Sequence, residues 1–225
     1  MNYIISLGGS LIVPDEIDTI FLKKFRKLIL MESQKGKKFL ILAGGGRICR
    51  TYQRAGREVA NLSDDALDWI GIEVNRLNAH LLRWIFGARS YESVPTFEKF
   101  PRKLKAPITV AVGGIGPGGS SDSVSVSYAQ KLGVRTIVNL TNVAGVYDRD
   151  PNKFKNAKLI PHLTWKEFTR QFGSKRSPGQ HKPFDPSTAK LASRLGVKVV
   201  IMDGRDIKNL QNFFLGKTFQ GTVIS

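Results

Sequence analysis

The 225 residues, 41% of them hydrophobic, are enough to bury a full core and fall in the range of a single α/β domain spanning residues 1–225. Thirty-five Lys and Arg against 18 Asp and Glu give a net charge of +17, which favours anionic partners; the scatter of the charges along the chain fits a solvated basic surface better, and no aromatic-interleaved basic motif supports nucleic-acid binding. One cysteine, Cys49, excludes an internal disulfide, three scattered histidines (His80, His162, His181) offer no zinc cluster, and no apolar run reaches the roughly 18–20 residues that span a bilayer.

In chain order, residues 3–7 read as a short buried strand, with no basic segment and long apolar run ahead of it, so a soluble cytoplasmic protein without membrane contact is expected. Leu7-Gly8-Gly9-Ser10 follows, then a predicted helix over 16–34, a strand over 39–43 and the turn Ala43-Gly44-Gly45-Gly46. Helices are predicted over 47–60 and 64–86. The second starts behind Ser63 as N-cap and places Leu67, Ile70, Gly71, Val74, Leu77, Leu81 and Ile85 near one face. A strand over 108–112 leads into the third glycine-rich turn, 112–119, and a helix over 123–132.

Next come a strand over 136–140, a helix over 165–172 and an aperiodic stretch over 173–183. That stretch is either a solvated connection or a basic loop that closes over a nucleotide. A helix over 187–195, a strand over 197–202 and a last strand over 218–224, suited to a sheet edge because Gly221 interrupts it, complete the chain. Alternation of β-branched runs with helical periodicity predicts βαβ units and a largely parallel sheet covered on both faces.

Glycine lets the backbone turn tightly and approach an anion, while unpaired N–H groups and the positive end of a following helix attract it. One such turn has a purely steric explanation. Three in one chain of this size point to more than one phosphate group.

The glycine turns share the chain with Asp68-Trp69-Ile70-Gly71-Ile72, Asn75-Arg76-Leu77-Asn78-Ala79, the run Thr141-Asn142-Val143-Ala144-Gly145-Val146-Tyr147-Asp148-Arg149-Asp150-Pro151, and Asp185-Pro186-Ser187-Thr188-Ala189-Lys190. In this order the motifs resemble the amino-acid kinase superfamily, and within it the archaeal type of uridylate (UMP) kinases. The resemblance runs from about residue 3 to the C-terminus. It implies a three-layer αβα sandwich around a largely parallel sheet, with acceptor binding in about 1–130 and ATP binding in about 131–225. The implied activity is ATP- and Mg2+-dependent conversion of UMP to UDP, by an assembly that in relatives is a homohexamer.

Carried over by position, the resemblance places Gly9 and Ser10 beside the ATP phosphates and Gly45 beside UMP. It puts Gly46 and Arg50 at the transferred phosphoryl group and Asp68 on the acceptor's ribose or base. The turn Ile115, Gly116, Pro117, Gly118, Gly119, Ser120 and Ser121 would wrap the acceptor phosphate, and Thr141, Asn142, Tyr147 and Asp150 would line the adenosine site. Asp122 matches a carboxylate that orients catalytic lysines, and Lys190 a lysine aimed at the ATP phosphates; no protein metal ligand is implied.

Read without the family, each has a plainer alternative. Arg50 or Arg47 is a surface charge, Asp68 a polar residue on a helix face, Tyr147 a core aromatic, Asp122 a helix N-cap and Lys190 a solvated lysine. Three positions depart from the pattern: Ser6 where many members carry lysine, Ala144 where relatives often carry Asp, and Ser120-Ser121 in place of a Thr pair. Two other readings follow, a kinase for another small phosphorylated metabolite and a non-catalytic nucleotide-binding relative. Isopentenyl phosphate kinases expect a histidine after the second glycine turn, where this chain has Arg47-Ile48-Cys49-Arg50.

Overall fold

The computed structural model describes residues 2–151, 153–174 and 183–225, so most of the predicted basic loop over 173–183 lies outside the described residues. Strands β1 (Asn2–Leu7), β2 (Lys38–Ala43), β3 (Ile108–Val112), β4 (Thr136–Thr141), β5 (His162–Leu163), β6 (Lys198–Asp203) and β7 (Thr222–Ile224) form one sheet. Its order is β3-β2-β1-β4-β6-β7-β5. Every neighbouring pair is parallel except β6 and β7. The helices are α1 (Gly9–Ile12), α2 (Thr19–Gln34), α3 (Gly46–Ala60), α4 (Asp64–Phe86), α5 (Ser121–Leu132), α6 (Trp165–Phe172), α7 (Pro186–Arg194) and α8 (Ile207–Phe214).

Strand alternation divides the core into two layers. Tyr3, Ile5, Leu7, Phe39, Ile41, Val138 and Leu140 pack against Phe25 and Ile29 of α2, Leu82 and Phe86 of α4, and Leu210 and Phe214 of α8. Ile4, Leu40, Leu42, Ile137, Val199 and Ile201 face the other way, onto Val124 and Tyr128 of α5, Trp165 and Phe168 of α6, and Ala189 and Ala192 of α7. The result is the expected αβα sandwich. Among the described residues no helix is long and apolar enough to cross a membrane.

Local start signals hold where a side chain can act on its own turn. Ser63 caps α4, accepting from Ala66 N, and Asp18 caps α2, accepting from Phe21 N at 2.8 Å, so that helix begins at Thr19 rather than at 16. The buried stripe of α4 is Leu67, Gly71, Val74, Asn78, Leu82 and Phe86, whereas Leu77, expected on it, is 64% exposed.

The last strand also departs from expectation. It spans only Thr222–Ile224 and lies between β6 and β5, leaving the two-residue β5 at the edge. β5, at two residues, is too short to show a period in sequence, whereas α8, with Ile207, Leu210 and Phe214 at helical spacing, is a helix absent from the predicted elements.

Candidate functional site

The three glycine turns sit side by side at the carboxyl ends of β1, β2 and β3. Gly8 N donates to Leu140 O at 2.9 Å, Gly44 N to Leu7 O at 3.0 Å and Gly113 N to Ala43 O at 3.0 Å, so each turn leaves its strand still paired to a neighbour. Chain order reverses direction at β1, which lies between β2 and β4. In open α/β sheets that reversal opens a crevice outside the strand ends. Here it is a cleft of about 1150 Å³ that also takes in the 141–151 run at the end of β4.

The floor of the cleft is backbone against backbone. A Cβ on Gly9 would lie 1.9 Å from Gly46 N and 2.6 Å from the carbonyl carbon of Gly44, and Gly46 adopts φ +71° with its own Cβ position 2.4 Å from Gly9 O. Only glycine satisfies both demands. The second turn runs straight into the fifteen-residue α3, as expected, but the first runs into α1, a single four-residue turn, before α2 starts at Thr19. An anion at the first turn therefore depends on loop amides more than on a helix dipole.

Side chains of α4 hold the other two turns. Asn78, 4% exposed, donates from Nδ2 to Gly44 O at 2.8 Å and Gly45 O at 3.3 Å. Asp68 Oδ2 accepts from Gly118 N at 2.8 Å across 50 residues of sequence. The third turn ends in a capping box: Ser120 Oγ accepts from Ser123 N while Ser123 Oγ accepts from Ser120 N. Ser120 is thus the N-cap of α5, the role that remained open for Asp122. Asp122 instead accepts from Asp185 N through Oδ2 at 2.8 Å, and Asn139 Nδ2 lies 3.4 Å from its Oδ1.

Of the residues singled out from sequence, Gly9, Gly45, Asp68, Gly116, Gly119, Ser120, Ser121, Asp122, Thr141, Asn142, Tyr147 and Asp150 line this one cleft. Ile115 lines a neighbouring hollow of about 260 Å³ between α4 and α5. Ser10, Gly46, Arg50, Pro117, Gly118 and Lys190 lie outside the lining. Gly46 is buried under the floor, Gly118 is tied to Asp68, and Arg50 and Lys190 are exposed on α3 and α7. Arg47 pairs with Asp15, whereas Arg50 has no ion pair among the described residues.

The lining also contains Ser6, Asn75 and Asn139, to which sequence reasoning assigned no ligand role. Asn139 was detectable in principle, as a polar side chain between Val138 and Leu140 in a buried strand.

Electrostatics set Asp122 apart. Burial pushes its carboxyl up to about 7; the hydrogen bond from Asp185 N opposes this and the nearby Asp185 charge adds to it. Burial likewise raises the Cys49 thiol, outweighing Arg50. At the outer rim, burial would raise Asp203, but hydrogen bonds from Arg205 hold it below the usual carboxylate range. Arg205 also donates to Asn142 O at 2.9 Å.

Residues 1–203 match the Amino acid kinase family. The chain is 34% identical over 217 residues to a uridylate kinase of Thermoplasma volcanium, covering 96% of this chain and 94% of that protein. It is 33% identical to a uridylate kinase of Methanobrevibacter smithii, with both chains covered in full at 100%. The crystal structure of uridylate kinase from Archaeoglobus fulgidus superposes over 100% of both chains with TM-score 0.84 at 28% identity. A UMP kinase structure from Bacillus anthracis shares the fold, with TM-score 0.80 at 22% identity over 100% of this chain and 95% of that one.

Proposed function

As the chain belongs to the amino acid kinase family, we propose that it is a cytoplasmic UMP kinase of pyrimidine nucleotide biosynthesis, transferring the terminal phosphoryl group of ATP directly to UMP. The observation that carries this reading is the meeting of three glycine turns in one cleft, with Asp68 on one side and the 141–151 run on the other. Residues 1–130 would hold the acceptor and 131–225 the donor. Gly45, Asp68 and the turn from Gly116 to Ser121 would receive UMP; Gly9, Thr141, Asn142, Tyr147 and Asp150 would receive ATP.

In-line transfer asks the protein to align two nucleotides and to stabilise charge spread over the moving group. Loop amides, Arg50 and Lys190 would supply that stabilisation, with Asp122 as the orienting carboxylate. Ser6, buried at 5% exposure in the cleft wall, contributes no charge. Mg2+ would arrive with ATP and neutralise its phosphates. No group of three or more His, Cys, Asp or Glu among the described residues is arranged to hold it, so the nucleotide's own phosphates would carry the ion into the cleft.

A homohexamer is the proposed assembly. α3 packs on α4, and their outer surfaces leave Tyr52, Val59, Trp69, Leu77 and Trp84 exposed, an apolar surface of the kind that marks subunit interfaces. Light scattering at six protomer masses is the expected result; a monomer would refute it.

ADP release over a panel of nucleoside monophosphates tests the activity. UMP is expected to be turned over best, and turnover of another acceptor without UMP would remove the substrate assignment. Ser6 supports one second reading, a nucleotide-binding relative without catalysis. Calorimetric binding of ATP and UMP with no ADP formed would establish that reading instead.

A further inference from the structure

Asp185 lies at the start of α7 and is 9% exposed, and its two carboxylate oxygens have separate work. Oδ1 accepts from Ser187 N at 2.9 Å and from Ser187 Oγ at 2.7 Å, which caps α7. Oδ2 accepts from Ser120 Oγ at 2.6 Å, across 65 residues of sequence. The backbone N–H of the same residue donates to Asp122 Oδ2 at 2.8 Å.

A helix cap needs only the first of these contacts. The second fastens the N-cap of α5, where the third glycine turn ends, to the N-terminus of α7, which carries Lys190 five residues on. Hydrogen bonds to a charged acceptor are short and strong, and more so away from water. α5 and α7 also pack on one another, so the bond joins two helices already in contact.

We propose that Asp185 is a positioning residue that locks the third glycine turn to α7, holding the acceptor clamp and Lys190 at one spacing for phosphoryl transfer. Its kinetic consequence rests on the UMP kinase reading; the tie itself does not.

Asp185→Ser separates the tie from the cap. Serine caps helices about as well as aspartate, but it is too short to reach Ser120. In the full-length unliganded protein, hydrogen exchange should show the Ser123 amide losing about ten-fold in protection while the Ser187 amide stays within about three-fold. In turnover, kcat should fall by about ten-fold or more, with both KM values within about three-fold, and Asp185→Asn should recover most of it. Added to Ser120→Ala, Asp185→Ser should cost less than about a further three-fold.

An unchanged Ser123 amide, or a parent-like kcat in Asp185→Ser, overturns the proposal. So does full additivity with Ser120→Ala. Were Asp185→Ser to misfold, Ser120→Ala breaks the same bond with the α7 cap intact, and a parent-like kcat there also overturns it. A parent protein that turns over no UMP would defeat the kinase reading alone, leaving the exchange measurement to decide the tie.

Discussion

The floor and the outer rim of the cleft are built in opposite ways. On the floor, Gly9, Gly44 and Gly46 meet backbone to backbone with no room for a methyl group, and the buried Asn78 amide ties the second turn to α4. At the rim, the 141–151 run has one buried anchor, Val146 N donating to Thr222 Oγ1 at 2.8 Å, but its outer residues are held by exposed contacts: Lys158 N to Asp148 Oδ1, the Arg149–Asp148 pair, and Arg205 bridging Asp203 and Asn142 O. Breaking a buried hydrogen bond strands a desolvated partner, whereas an exposed pair exchanges its partner for water at little cost. The floor should therefore be intolerant of change and the rim forgiving, so that a nucleotide can enter without disturbing the phosphate loops.

The largest expected effect is Gly9→Ala. Its methyl would lie 1.9 Å from Gly46 N, so backbone must move, and a loss of more than about 3 kcal/mol is expected in urea unfolding. Gly116→Ala, with nothing within 4 Å of the added atom, is the control and should change stability by less than about 0.5 kcal/mol. Similar midpoints for the two would undo the distinction between nested and open turns.

Chemistry comes next. Lys190→Ala and Asp122→Asn should each lower kcat by about 100-fold while UMP affinity by calorimetry changes less than about three-fold. Normal turnover in both would remove them from the catalytic set. Asp122 carries a pH signature as well: its carboxyl is raised from 3.8 to about 7, so between those values the folded chain keeps a proton that the unfolded chain releases. Its contribution to stability is complete below about pH 4, is lost as pH rises toward 7 and stays flat above. Asp122→Asn should flatten that part of the curve, and an unchanged slope would assign it to other groups.

Asn78→Ala should cost about 1–3 kcal/mol, because two carbonyls of the second turn lose their donor, and should raise KM for UMP more than for ATP. The smallest effect belongs to the rim. Arg205→Ala removes an ion pair whose arginine is 62% exposed and should cost less than about 1 kcal/mol, with at most about a three-fold rise in KM for ATP. A rim substitution as damaging as Asn78→Ala would erase the contrast between the two regions.

Much of the fold was legible before any coordinates. Five strand cores, the αβα layering and the span of α4 follow from alternation, period and the Ser63 cap, because each is decided by residues within a turn or two of one another. The motifs also brought most of the candidate cleft to notice, from Gly9 through Asp150.

Other features required the folded chain. Leu77 fits the apolar period of α4 but faces outward, since the stripe that is buried depends on where α4 lies against β3. The placement of β7 between β6 and β5 depends on pairings that span α8 on one side and α6, α7, β6 and α8 on the other. The nesting of Gly46 beneath Gly9 and the bond from Ser120 to Asp185 join segments tens of residues apart. Local pattern determined which segments turn, cap and alternate. Which turns meet, and which carboxylate fastens them, was decided by tertiary packing, because the chain between such segments leaves their approach free until the sheet aligns them.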